Sequence, residues 1–145
     1  MHAGTLSLSG YYRQHTSLLP EQTVPARILI VEDETLVAME LGLILEDLGH
    51  QVAGIASDSR SALEKAGAET VDLAIVDVHL ADGPTGPEIG RRLAAQGVSV
   101  LFMTGNPSMI GPVPSPIVGV MSKPTDERLI GNAVAYALAC REGRD

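Results

Sequence analysis

The sequence predicts an α/β domain built on a five-stranded parallel sheet with helices on both faces. Three observations predict it. Five short runs are rich in aliphatic and β-branched residues, and between them apolar residues recur at helical spacing. The two patterns alternate, which means parallel strands joined by right-handed crossovers. Most of the runs also end on a polar or charged residue, and in a parallel sheet those ends share one edge.

The run Leu73-Ala74-Ile75-Val76-Asp77-Val78-His79-Leu80 is central. Its apolar part reads as a strand buried on both faces, from Val71 to Asp77, closed by the turn residues Ala81-Asp82-Gly83-Pro84. Asp77 then stands at the carboxyl end of a central strand, where open α/β sheets keep their ligand sites. A lone buried carboxylate is costly, so a cation or metal belongs beside it.

The other elements follow in order. Arg27 to Val31 is the first strand and runs into Glu32-Asp33-Glu34. From Thr35, Val37, Leu41, Ile44, Leu45 and Leu48 recur with helical period, and Gly49 closes that helix as its C′ glycine. Gln51 to Ala56 is the second strand. Asp58 is placed to cap a short helix reaching about Gly67. A helix over 88–96 is stopped by Gly97. Val98 to Met103 is the fourth strand, ending on Thr104, and Ile117 to Ser122 is the fifth, ending on Lys123-Pro124. Thr125 caps the last helix, with Asp126 and Glu127 in its first turn, where the dipole favours acids. Leu129, Ile130, Ala133, Val134, Ala137 and Leu138 form its buried face. Between Thr104 and Ile117 stand Pro107, Pro112, Pro114 and Pro116 with Gly105 and Gly111. Proline costs about 3 kcal/mol inside a helix, so a fourth helix there is short, distorted or absent.

Length and composition narrow the function. The chain of 145 residues suits one domain with its own core, residues 26–145, preceded by a tail or docking arm, residues 1–25. The arm carries Leu6, Leu8, Tyr11, Tyr12, Leu18 and Leu19. With one phenylalanine and no tryptophan, the core must be aliphatic. The net charge of −8 argues against a nucleic-acid partner. The single cysteine, Cys140, excludes an internal disulfide framework and fits a reducing cytoplasm. No apolar run is long enough to span a membrane, and no signal peptide is visible. Four scattered histidines lack zinc spacing, and Met39, Met103, Met109 and Met121 read as packing residues.

Glu32, Asp33, Asp77, Thr104 and Lys123 all fall at strand ends and so on one edge. Clustered carboxylates repel, and a hard divalent cation such as Mg²⁺ resolves the repulsion. Lysine supplies a compact ammonium and threonine a hydroxyl donor. Together they form a cup for a phosphoryl group, with Asp77, alone on the middle strand, as the nucleophile. Each feature alone has an ordinary explanation: an acidic pair capping a helix, an aspartate opening a turn, a solvated lysine before proline. Their order, each at a strand end, favours the joint site.

These residues carry a resemblance. Ile28-Leu29-Ile30-Val31-Glu32-Asp33-Glu34, Ala74 to Leu80, Met103-Thr104-Gly105 and Met121-Ser122-Lys123-Pro124 are similar to the motifs of response-regulator receiver domains of two-component signalling, over roughly residues 26–141. The resemblance implies a flavodoxin-like, doubly wound sheet of order 2-1-3-4-5. It implies that Asp77 is the phosphoacceptor and that Thr104 is the switch hydroxyl. Lys123 would pair with the phosphoryl oxygen, with a cis bond before Pro124 typical. Glu32, Asp33, Asp77 and the backbone carbonyl of His79 would hold Mg²⁺. The donor would be a histidine kinase or phosphotransfer protein, and a downstream protein would be the target. Arg128, Asn132 and Tyr136 lie on the family's usual contact face.

Three departures stand out. Glu32 replaces the commoner aspartate and lengthens one arm of the metal site. Val120 stands where the family usually has an aromatic switch. The segment from Thr104 to Lys123 is short and proline-rich. Phe102-Met103-Thr104-Gly105 and the loop 82–86 partly resemble receivers with a FATGUY-type motif.

Only one helix's length of chain follows Lys123, so the expected protein is a cytoplasmic single-domain response regulator, monomeric or weakly dimeric. It would catalyse its own phosphorylation and dephosphorylation without being a conventional enzyme. Output would come through protein contact, with phosphorylation moving Thr104 and reshaping residues 105–116, or the domain would serve as a phosphate sink in a phosphorelay. The alternative is a pseudo-receiver that binds partners without phosphorylation. A phosphohydrolase would need an acidic residue where His79 stands. A dinucleotide-binding protein would need a glycine-rich turn where Glu32-Asp33-Glu34 stands.

Overall fold

The computed structural model describes residues 25–105, 117–122 and 126–143. The expected N-terminal arm up to Val24, most of the proline-rich segment, Met109, and Lys123-Pro124-Thr125 lie outside the described residues. The elements are β1 (Arg27–Val31), α1 (Thr35–Asp47), β2 (Gln51–Ala56), α2 (Ser59–Ala68), β3 (Leu73–Asp77), α3 (Gly86–Ala95), β4 (Ser99–Thr104), β5 (Ile117–Ser122) and α4 (Glu127–Gly143). No helix lies between β4 and β5 among the described residues. No described helix is long and apolar enough to cross a membrane.

All five strands pair in parallel, in the order β2-β1-β3-β4-β5. This is the flavodoxin-like, doubly wound sheet. The chain goes outward from β1 to β2, then returns across β1 to β3. The point of return lies between β1 and β3, where such sheets open a crevice at their carboxyl ends.

Strand alternation divides the core into two layers. Leu29, Val31, Ala74, Val76, Val100 and Phe102 face α2 and α3, where they meet Ala62, Ile89 and Leu93. Ile28, Ile30, Leu73, Ile75, Leu101 and Met103 face α1 and α4, where they meet Leu41, Leu45, Ile130, Val134 and Ala137. β3 is buried along its whole length, as a strand covered on both faces must be. Apart from Phe102, both layers are aliphatic.

Helix ends follow local chemistry. Asp58 caps α2 by accepting the Ser61 N–H at 2.9 Å. α3 starts at Gly86, two residues before the expected Glu88, because Pro87 fits a first helical turn, where no N–H donor is needed. The strands β3 and β4 start at Leu73 and Ser99, slightly later than the apolar runs suggest. At α4, Asp126 is not a first-turn acid: its carboxylate accepts the Leu129 N–H at 2.8 Å and does the capping itself.

Two expected packing residues are exposed. Leu129 is 54% exposed, because the inward stripe of α4 runs through Ile130, Val134 and Ala137, and Asn132 is buried beside it. Met39 is also 54% exposed, because α1 turns Ala38, Leu41 and Leu45 toward the sheet. Met103 is buried, as expected.

His50, buried just after α1, ties the chain's entry into the fold. Its Nδ1 accepts the Ala26 N–H at 3.1 Å, so the ring proton sits on Nε2. Burial lowers its pKa from the ordinary 6.5. The unfolded chain therefore takes up this proton first on acidification. The contribution to stability is fully present above the unfolded value of 6.5 and is lost as pH falls below it. Urea unfolding should accordingly give a midpoint that drops from about pH 7.5 to about pH 5.5. His50→Asn should flatten that part of the profile, whereas an equally steep fall in the variant would assign it elsewhere.

Candidate phosphoryl and metal site

Register gathers the site residues. Val31 of β1 lies opposite Val76 of β3, so the next residues, Glu32 and Asp77, leave the sheet side by side. Asp77 is in turn opposite Met103 of β4, and Thr104 follows one residue later. Thr104 pairs with Ser122, the last residue of β5. Four residues from three well-separated stretches of sequence thus come to one edge: Glu32, Asp33, Asp77 and Thr104.

Glu32, Asp77 and Thr104 are buried, and Asp33 is exposed. Glu32 extends the β1–β2 ladder by one bond, its N–H donating to Ala56 O at 2.8 Å. Its Oε2 accepts the Glu34 N–H at 3.1 Å and turns the chain into α1. Asp77 Oδ1 accepts the His79 N–H at 3.3 Å, and Val78 donates to Met103 O at 3.1 Å. The His79 side chain is exposed.

One carboxylate oxygen from each of Glu32, Asp33 and Asp77 lies within 4.8 Å of the other two. Three negative charges at this spacing repel, and the repulsion grows where water is excluded. An all-oxygen, all-anionic donor set of this kind fits a hard divalent cation of the Mg²⁺ type. The longer arm of Glu32 does not prevent the gathering. Beside the acidic pair opens a cleft of about 320 Å³, walled also by Thr35, Met39, Ile55, Ser57 and Ser61.

Val120 is half-buried and packs against the layer under α2 and α3. An aliphatic side chain occupies the place where an aromatic switch was the family pattern. Lys123 and the bond to Pro124 lie outside the described residues.

Two features escaped the sequence reading. Gly86 is required by close approach: a Cβ there would lie 2.2 Å from Asp77 O and 2.6 Å from Val78 Cα. The start of α3 is thereby pressed against the backbone of the phosphoacceptor candidate. Second, Asp82 hydrogen-bonds Thr85 within its own loop and Ser59 at the start of α2. The turn-forming run Asp82-Gly83-Pro84-Thr85-Gly86 marked the place but not these partners.

The family model "Response regulator receiver domain" matches residues 28–135. Phyllosphere-induced regulator PhyR of Methylorubrum extorquens is 34% identical over 115 residues, covering 77% of this chain and 43% of that protein. The chain spans less than half the length of the curated relatives it matches. Among solved structures, the receiver domain of PhyR from Erythrobacter litoralis is 32% identical with a TM-score of 0.72, covering 79% of this chain and 91% of that one. PhyR from Brucella abortus is 30% identical with a TM-score of 0.80, covering 93% and 56%. SdrG from Sphingomonas melonis is 32% identical with a TM-score of 0.63, covering 83% and 99%.

The contact at Gly86 is directly testable. Gly86→Ala forces either α3 or the end of β3 to move. It should destabilise the domain by about 1–3 kcal/mol in urea unfolding, the usual range for overpacking, although alanine is the better helix former. A neutral or stabilising result would mean that the two backbones can separate freely.

Proposed function

The chain belongs to the response regulator receiver family, and on that premise we propose that Asp77 accepts a phosphoryl group and that the domain is a phosphorylation switch. The observation that carries this is the meeting of Glu32, Asp33 and Asp77 within 4.8 Å at the carboxyl edge of the sheet.

In the proposed reaction a carboxylate oxygen of Asp77 attacks the phosphorus of a phosphohistidine on a histidine kinase or phosphotransfer protein. The new O–P bond forms as the P–N bond breaks, and the imidazole nitrogen keeps the electron pair. Glu32, Asp33, Asp77 and the backbone carbonyl of His79 would hold Mg²⁺, which supplies positive charge to the transferring oxygens. Thr104 offers a hydroxyl to the same oxygens from the end of β4. Lys123, the residue after β5, is assigned the ammonium that pairs with them.

The burial of Asp77 supports its role, since few waters compete at the carboxylate. Downstream signalling by contact with a partner protein, or passage of the phosphoryl group along a relay, follows from an acyl phosphate that forms and hydrolyses on the domain itself. A cytoplasmic setting, where such donors are made, belongs to the same proposal. With Val120 in place of a ring, Thr104 acts without an aromatic partner at that position.

Intact mass after incubation with a small phosphodonor and Mg²⁺ tests the proposal. The wild type should gain the mass of one phosphoryl group, Asp77→Asn should not, and EDTA should abolish the gain. An adduct on neither protein would leave a module that binds its partners unphosphorylated.

A further inference from the structure

We propose that Asp82 is a positioning residue: it fastens the loop after Asp77 to the N-terminus of α2 and so holds the backbone of residues 78–80 at the phosphoryl site. The inference rests on the phosphoryl-transfer function proposed above.

Asp82 is exposed, yet both of its carboxylate oxygens are engaged. Oδ1 accepts the Thr85 hydroxyl at 2.6 Å. Oδ2 accepts the Ser59 hydroxyl at 2.7 Å and the Ser59 N–H at 3.2 Å. A further bond runs between the same two loops, from Ala81 N–H to Ser57 O at 3.2 Å.

Helix capping accounts for only part of this arrangement: the Ser59 N–H is the first of α2, but the two hydroxyl bonds are not cap bonds. α2 already has its own cap in Asp58. Thr85 occupies the N-cap position of α3, but its side chain makes no cap bond. The hydroxyl that would ordinarily close the first turn of α3 goes to Asp82 instead. A residue that departs from its local rule in this way signals a constraint imposed from outside the helix.

The constraint is on the loop. Its base is closed by Gly86 N–H to Val78 O at 3.0 Å. Its tip is a tight turn in which Leu80 and Gly83 exchange backbone bonds at 2.9 and 3.0 Å, with Gly83 at φ +110°. Asp82, inside that turn, joins it to a neighbouring element. Between base and tip lies His79, whose N–H holds Asp77 Oδ1. Fixing both ends fixes the backbone that orients the nucleophile. The hydrogen bonds from Thr85 and Ser59 draw the Asp82 carboxyl down from 3.8 to about 2, so the fastening is intact throughout the neutral range.

Phosphorylation rates from a small phosphodonor, measured across a series of Mg²⁺ concentrations, test the proposal, with thermal unfolding of each protein in parallel. Asp82→Ala and Thr85→Val should each raise the half-saturating Mg²⁺ concentration several-fold, less than the roughly 10-fold or more that follows loss of a partner bonded directly to a metal ligand. Thr85→Ser, which keeps the hydroxyl, should behave as wild type. Wild-type Mg²⁺ dependence in a folded Asp82→Ala would overturn the inference while leaving the phosphoryl site standing. So would equal losses in Thr85→Ser and Thr85→Val, or a lower melting temperature with unchanged Mg²⁺ dependence. A wild type that takes no phosphoryl group at any Mg²⁺ concentration would bring down the proposed function, and this inference with it.

Discussion

Repulsion among three carboxylates is the constraint on which the rest of this structure depends. Glu32 and Asp77 are buried, Asp33 stands beside them, and their oxygens lie within 4.8 Å. No packing advantage explains gathering like charges where water is scarce. The sheet nevertheless delivers them there, because β1 and β3 are neighbours in register, β3 ends on Asp77, and β1 runs directly into Glu32 and Asp33. Like charges brought this close cost stability unless positive charge meets them, and the aliphatic layers on both faces of β3 hold the strand that carries Asp77 in place.

The surroundings are organised around holding that edge still. The Glu32 backbone continues the ladder toward β2, while its side chain turns the chain into α1. Asp77 is followed by a loop pinned at its base by the approach of Gly86 and at its tip by Asp82 on Ser59. Thr104 closes the other side from β4. Each support is a backbone or short side-chain contact, which leaves little rotamer freedom at the point where charge must be met.

Much of this was legible in the sequence. The strand runs are short, apolar and bounded by turn residues, so their positions hold to within a residue or two. The gathering of Glu32, Asp33, Asp77 and Thr104 was legible because each stands at or just after a strand end, and a parallel sheet brings such ends to one edge. Strand order is not encoded by periodicity, and it came from the resemblance to receivers. The exposed Leu129 and Met39 show the limit of apolar spacing: a helix with several hydrophobic faces does not declare which one turns inward. Asp126 shows another, since cap and first-turn acid differ by one residue. Gly86 and the Asp82–Ser59 bond depend on contacts between elements, and single-residue chemistry cannot name the partner.

The most direct measurement is a calorimetric titration of Mg²⁺ into the intact protein, repeated with Asp33→Asn and Asp77→Asn. Both variants remove a charge from the cluster without changing its shape. The account predicts a single ion per chain in the wild type and strongly weakened binding in both variants. No binding to the wild type, or equal binding to all three proteins, would contradict it, because the gathered carboxylates would then serve something other than a divalent cation.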